Sequence, residues 1–123
     1  MTDDMLSFKE MCAKFAVTPR TLRYYEYIEL LQPHKEGRTR FYGPEEVQRM
    51  QVILRGKRFG FSLEEIRQWL ILSQTEGNEA QRRGIVAIAE RKLDELIRQR
   101  EALESAIADL QEMRDAAAAG QLS

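Results

Sequence analysis

The chain of 123 residues holds one cysteine, one histidine, one tryptophan and three prolines. A single cysteine excludes an intrachain disulfide and fits a reducing, cytoplasmic setting. With one histidine and no companion nucleophile, base or ligand cluster, no catalytic site is expected. Nor is a metal site or a cofactor. No apolar run approaches the roughly 20 residues that span a bilayer, and none resembles a signal peptide, so no membrane partner is expected. There is little net charge either, only −1, although 32% of residues are charged.

That balance hides an asymmetry. From Arg20 to Arg58 there are nine basic and five acidic residues, a net of +4. From Gln74 to the end there are seven basic and ten acidic residues, a net of −3. A basic front and an acidic back suggest a nucleic-acid face followed by a different module.

The helix starts share one grammar. Ser7 and Glu10 form a capping box with Leu6 and Met11 as its hydrophobic staple. Ser62 and Glu65 repeat the box, with Phe61 and Ile66 as the staple. Gly43-Pro44-Glu45-Glu46 is a third start, with proline at the first position, acids facing the helix dipole, and Tyr42 and Val47 in the staple positions. A fourth is Thr18-Pro19, opening the short run Arg20-Thr21-Leu22-Arg23-Tyr24-Tyr25-Glu26, dense in arginine and tyrosine.

These signals predict helices over about 8–16, 19–27, 44–59 and 63–72. In the first, Phe8, Met11, Cys12 and Phe15 share one apolar face, which makes Cys12 a buried structural thiol. Val47, Met50, Ile53 and Leu54 point inward from the third, which Gly60 stops, and Ile66, Trp69 and Leu70 from the fourth. The first two helices form a helix-turn-helix, whose second helix commonly enters the major groove. Between Leu31 and Gly43, two short strands around Glu36-Gly37 make a basic wing carrying Lys35, Arg38 and Arg40. His34 is expected at the surface, and Arg55, Lys57 and Arg58 cluster at the end of the third helix.

A polar linker over 74–78 leads to a long helix over about 79–115, with a flexible tail at 116–123. Val86, Ala89, Leu93, Leu96, Arg100, Leu103, Ile107 and Leu110 recur at alternating spacings of three and four. Seven of these eight are apolar, which is the signature of a coiled coil. Such a helix needs a second copy, so a homodimer is expected, with Arg100 on the seam opposing burial unless paired.

Val17 to Leu31, the wing Glu36 to Tyr42, and Leu54-Arg55-Gly56-Lys57-Arg58-Phe59-Gly60-Phe61-Ser62-Leu63-Glu64-Glu65-Ile66 resemble, in order, the MerR family of bacterial transcription regulators. The resemblance covers residues 6–73 and is carried by separate segments. The last stretch looks most like the subgroup that regulates leucine, isovalerate and related acyl-CoA catabolism.

The resemblance implies a mainly α fold: a winged helix-turn-helix domain over 6–73 followed by a long dimerisation helix in an antiparallel coiled coil. It implies promoter DNA as partner, bound at a pseudo-palindromic site and distorted to control transcription, with RNA polymerase at the same promoter. The candidate DNA-binding residues are Thr18, Arg20, Thr21, Arg23, Tyr24, Tyr25, Arg38, Arg40, Tyr42 and Lys57. Tyr42 is expected to pack its ring and show its hydroxyl. The alternative for the arginines and tyrosines of the second helix is a solvated, salt-bridged face, in which Glu26, three residues after Arg23, could pair with Arg23. Glu29 and Ala16 stand where the family commonly has glycine, and the first bears on the turn into the wing. The cysteines of metal-sensing and iron–sulfur members are absent, and no separate ligand domain is expected, so the sequence names no effector. Activation and repression both stay open. Without the resemblance, the residues also allow a coiled-coil adaptor that binds protein instead of DNA.

Overall fold

The computed structural model describes residues 5–74 and 79–121. The chain divides into two compact units, residues 1–76 and 77–123. The first contains β1 (Leu6–Ser7), α1 (Phe8–Phe15), α2 (Pro19–Tyr27), β2 (His34–Glu36), β3 (Thr39–Tyr42), α3 (Pro44–Arg58) and α4 (Leu63–Gln74). The second contains α5 (Glu79–Ala118). This is the mainly helical, winged helix-turn-helix architecture with a long final helix that the sequence predicts.

The helix starts form as read. The Ser7 hydroxyl accepts from the Glu10 amide at 3.1 Å, while the Ser7 amide donates to Glu10 Oε1 at 2.8 Å. Ser62 and Glu65 repeat both bonds at the same distances. Thr18 Oγ1 accepts from the Thr21 amide at 3.1 Å and so starts α2. Each bond satisfies an amide that the first helical turn leaves without a partner.

Four helices end in the same way. The amide of the residue after the left-handed one bonds back to a carbonyl five residues earlier, as Val17 to Cys12, Leu30 to Tyr25, Phe61 to Gly56 and Gln121 to Ala116. Gly60 and Gly120 take the positive φ at two of these ends, 86° and 71°. Ala16 and Glu29 take it at the other two, with φ of 53° and 65°. The turn into the wing therefore keeps its form although Glu29 replaces the glycine expected there. Helix α5 runs three residues beyond the predicted end because Ala116 to Ala118 are strong helix formers and the stop comes only at Gly120. Of the predicted linker, residues 75–78 lie outside the described residues, and Gln74 belongs to α4.

The wing is a three-stranded antiparallel sheet in the order β1-β3-β2. Strand β1, two residues too short to show an alternating pattern, pairs Leu6 with Tyr42 and Ser7 with Phe41. Ser7 thus anchors both the sheet and the cap of α1. The core of this unit holds Met11, Leu22, Leu30, Leu31, Tyr42, Met50, Ile53, Ile66 and Leu70. Val47, Leu54 and Trp69 are half-buried, as is Cys12, which was expected to be buried fully.

Charged side chains tie the segment between α2 and the wing to the later helices. Arg49 donates to the Leu30 carbonyl through Nε at 3.0 Å and Nη2 at 2.8 Å. The Arg67 guanidinium donates to the Ile28 carbonyl, and the Gln32 amide donates to Glu46 Oε2 at 2.9 Å. The orientation of α2 is fixed in this way from its C-terminal end.

Candidate nucleic-acid interface

Helix α2 separates its residues by face. Leu22 and Tyr25 point into the core, 0% and 5% exposed. Arg20, Arg23, Tyr24 and Tyr27 follow at i, i+3, i+4 and i+7, the spacing of one helical stripe, and all four are exposed. Tyr27, at 84% exposure, is a stripe member that the sequence reading passed over although its spacing from Arg20 marks it.

The stripe lines an open concavity of about 590 Å³ formed by Arg20, Thr21, Arg23, Tyr24, Tyr25, Tyr27, Lys57 and Leu63. Lys57 arrives from the end of α3 and Leu63 from the start of α4. Five of the candidate residues, Arg20, Thr21, Arg23, Tyr24 and Lys57, read from two separate stretches, thus share one surface, and Tyr25 reaches it only through its 5% exposed edge. Thr18 is exposed at the edge of this helix, its hydroxyl donating to Thr21 Oγ1 at 3.0 Å. Thr18 and Thr21 therefore shape the helix start.

The wing places Lys35 opposite Arg40 across β2 and β3. Like charges in direct opposition destabilise a sheet, and the Glu26 carboxylate beside Arg40 offsets this. Arg38 is exposed in the turn beside Gly37, whose φ of 62° suits glycine.

Between wing and helix lies a cluster that joins three elements. Arg23 Cζ lies 5.2 Å from the centre of the Phe8 ring and Arg40 Cζ 5.5 Å from it. Glu26 Oε1 sits 3.2 Å from Arg40 Nε. The other Glu26 oxygen accepts a hydrogen bond from the Tyr42 hydroxyl. Glu26 therefore pairs with Arg40 and not with Arg23 on its own helix.

The structure buries two of the expected contacts. Tyr42 is 0% exposed, and its hydroxyl is committed to Glu26, so it has none to offer a phosphate. Burial pushes its pKa up, and the bond to Glu26 and the charge of that carboxylate push it further, against a smaller opposing effect of Arg40. Tyr25 is a core residue whose pKa burial also raises. Tyr25 was expected from its place in the basic run of the second helix and Tyr42 from the resemblance to the family's wing, and neither signal discloses exposure. Neither Tyr42 nor Phe8 is brought to Glu26 or Arg23 by any local pattern.

Other candidates fall elsewhere. His34, Arg55 and Arg58 are exposed, and Arg55 lines a separate small apolar cavity of about 50 Å³ with Phe59, Phe61 and Trp69. Burial raises the Cys12 pKa, offset in part by Arg23, so the thiol stays protonated at neutral pH. Among the described residues, no group of three or more His, Cys, Asp or Glu side chains is placed to hold a metal ion, and no helix is long and apolar enough to cross a membrane.

On α5 the predicted seam is largely open. Val86, Leu93, Leu96, Leu103, Ile107 and Leu110 are exposed, Ala89 is half-buried, and Arg100 pairs with Glu104 at 3.7 Å along the helix.

A winged helix-turn-helix that turns a stripe of arginine and tyrosine outward defines a DNA-binding transcription regulator. Comparison with known proteins agrees. The family model described as MerR HTH family regulatory protein matches residues 6–71, and that described as MerR, DNA binding matches residues 47–116. The chain belongs to the MerR family. It is similar to an HTH-type transcriptional regulator of Pseudomonas aeruginosa described as uncharacterized, with 31% identity over 110 residues, 87% of this chain and 83% of the relative. It is 37% identical over 68 residues to the HTH-type transcriptional regulator ZntR of Escherichia coli, 54% of this chain and 48% of that protein. A MerR family regulator from Bacillus cereus has the same fold, with a TM-score of 0.71 and 29% identity, covering 90% of this chain and 81% of that one. These relatives support the family and lend no support to the leucine and isovalerate subgroup.

Proposed function

We propose that the concave face of α2, with Lys57, Arg38 and Arg40 around it, is the surface that holds promoter DNA. The observation that carries this is the convergence of Arg20, Arg23, Tyr24 and Lys57 on one open concavity. Arginine clamps phosphate and reads guanine with two parallel bonds, and tyrosine packs on sugar while donating to phosphate. Most contacts are to the backbone, with a few residues reading base edges.

Two copies join through the apolar seam of α5 in an antiparallel coiled coil. The homodimer presents two such faces to a pseudo-palindromic site in the cytoplasm, distorts the DNA and so governs RNA polymerase at that promoter. The resemblance of residues 54–66 makes catabolic genes the proposed targets. The absence of sensor cysteines among the described residues of α5 makes a metabolite a better proposed signal than a metal.

The test is binding of a promoter duplex across a salt series. For a phosphate-dominated interface, log K falls with log salt by roughly 0.9 per phosphate neutralised. Charge reversal of Arg20 or Arg23 is expected to abolish binding while the dimer persists. Affinity retained in both variants counts against the interface. Genome-wide mapping of bound sites, with the spacing of polymerase elements read at each, tests the distortion and the target genes.

A further inference from the structure

We propose that Phe8 is a positioning residue: its ring holds Arg23 of the reading helix and Arg40 of the wing as one phosphate-binding unit. The inference rests on the DNA interface proposed above and gives a role at it to a residue that the sequence reading placed only on the apolar face of the first helix.

Phe8 opens α1 directly after Ser7, which is fixed twice. Ser7 closes the capping box with Glu10 and pairs with Phe41 in the sheet. The ring therefore grows from backbone that the sheet and the helix cap both hold. Met11, one turn later, is 0% exposed and does the packing. Phe8 is only half-buried and meets both guanidinium groups, at 5.2 and 5.5 Å from its centre.

Two arginines free in solvent lose rotamer freedom on binding. The ring supplies a negative face to each, which favours the pair without consuming charge. Glu26 Oε1 lies 3.2 Å from Arg40 Nε, and the cluster of two arginines and one carboxylate keeps a net positive charge. A phosphodiester is the ligand such a cluster fits. Because the ring touches α2 and β3 side chains together, it also fixes the distance between the helix contact and the wing contact.

The experiment uses the full chain and a mixed-sequence DNA duplex at low salt, where phosphate contacts suffice for binding. Phe8→Leu and Phe8→Tyr are compared with the wild type by fluorescence anisotropy across a salt series. The leucine variant is expected to weaken binding by about three- to tenfold with an unchanged salt slope, since the same phosphates are still met. The tyrosine variant is expected to restore affinity. Phe8→Leu in an Arg40→Gln background is expected to cost less than in the wild type.

Should the leucine variant not fold by circular dichroism, Phe8→Met takes its place as the non-aromatic variant. Ring-current-shifted side-chain protons of Arg23 and Arg40 in the free wild type provide a readout independent of folding. Wild-type affinity in the leucine or methionine variant, loss without rescue by tyrosine, or unshifted arginine protons overturns the role of Phe8 alone. Failure of the wild type to bind duplex DNA removes the interface and this inference together.

Discussion

The Tyr42 hydroxyl donates to the Glu26 carboxylate, tying the last strand of the wing to the helix that faces DNA. The Glu26 side chain is 10% exposed and its other oxygen meets Arg40 at 3.2 Å. Tyr42→Phe keeps the ring in the core and leaves one carboxylate oxygen without its donor. The expected loss is about 1.5–3 kcal/mol, the range for a hydrogen bond to a charged group. Urea unfolding measures it as a lower midpoint at unchanged slope. A variant as stable as the wild type excludes the bond as a structural tie.

The same hydroxyl makes stability depend on alkaline pH. The folded-state pKa of Tyr42 is raised, by burial first and by Glu26 next, and burial raises that of Tyr25. A tyrosine of the unfolded chain ionises near its ordinary value of about 10. Below that pH the hydroxyl is neutral in both states and its contribution to stability is fully present. Above it the unfolded chain sheds protons that the folded one retains, so stability falls as pH rises. The fall is expected to be shallower in Tyr42→Phe. Parallel curves for the two proteins in chemical denaturation between neutral pH and pH values above 10 show that Tyr42 is not the source.

Ala16 and Glu29 hold the left-handed conformation that an L-residue disfavours. Among the described residues, the Glu29 side chain makes no ion pair or hydrogen bond that its removal costs. Glycine relieves about 1–2 kcal/mol of backbone strain and forfeits part of that through a freer unfolded chain. Glu29→Gly and Ala16→Gly are each expected to stabilise by about 0.5–1 kcal/mol, additively because they stand at opposite ends of α2 and serve different turns. Thermal unfolding checks this, and a lowered Tm in either variant contradicts it.

These positions show what a sequence discloses. Ser7 with Glu10, and Thr18 with Pro19, announce helix starts because each cap is closed within three residues. The stripe of Arg20, Arg23 and Tyr24 follows from helical spacing alone. Phe8 against Arg23 and Arg40, Tyr42 against Glu26, and Leu6 against Tyr42 depend on chain segments that folding alone brings together. They stay invisible to any local pattern. Tyr25 was misread for the same reason, since the face of α2 that the core covers is chosen by its neighbours. The alanines after Asp115 look like low-complexity tail, yet alanine is the strongest helix former and the helix continues to the first residues that stop it.

Gly56 is a second long-range constraint. It lies buried in α3, and a Cβ there would stand 2.7 Å from Cγ1 and 3.1 Å from Cδ1 of Ile66. Ile66 is 1% exposed, and α3 and α4 approach this closely at a residue that lacks a side chain. Gly56→Ala gains helix propensity but is expected to lose a net 1–3 kcal/mol, roughly the cost of overpacking a core. Ile66→Val in the same chain is expected to recover part of the loss. An alanine variant that matches the wild type in urea disproves the close approach.

The seam of α5 gives the most direct test of assembly. Leu103 is 63% exposed and Leu110 66%, and no residue of the same helix can cover either. Arg100 lies among them, 66% exposed, with only an ion pair to Glu104 along its own helix. If a second copy covers this seam, Leu103→Glu places a carboxylate in an apolar interface and yields a monomer in sedimentation equilibrium. Duplex affinity falls with it, because each half then binds alone. Arg100→Leu acts in the opposite sense. It replaces a cation that opposes burial and is expected to tighten the dimer by about tenfold, the equivalent of roughly 1.4 kcal/mol. It also removes a polar seam residue of the kind that fixes register and strand direction, so mixed parallel and antiparallel pairs are expected by disulfide trapping of cysteines placed near the helix ends. A glutamate variant that remains dimeric sinks the seam as the interface. A leucine variant with unchanged dissociation shows that Arg100 stays outside it.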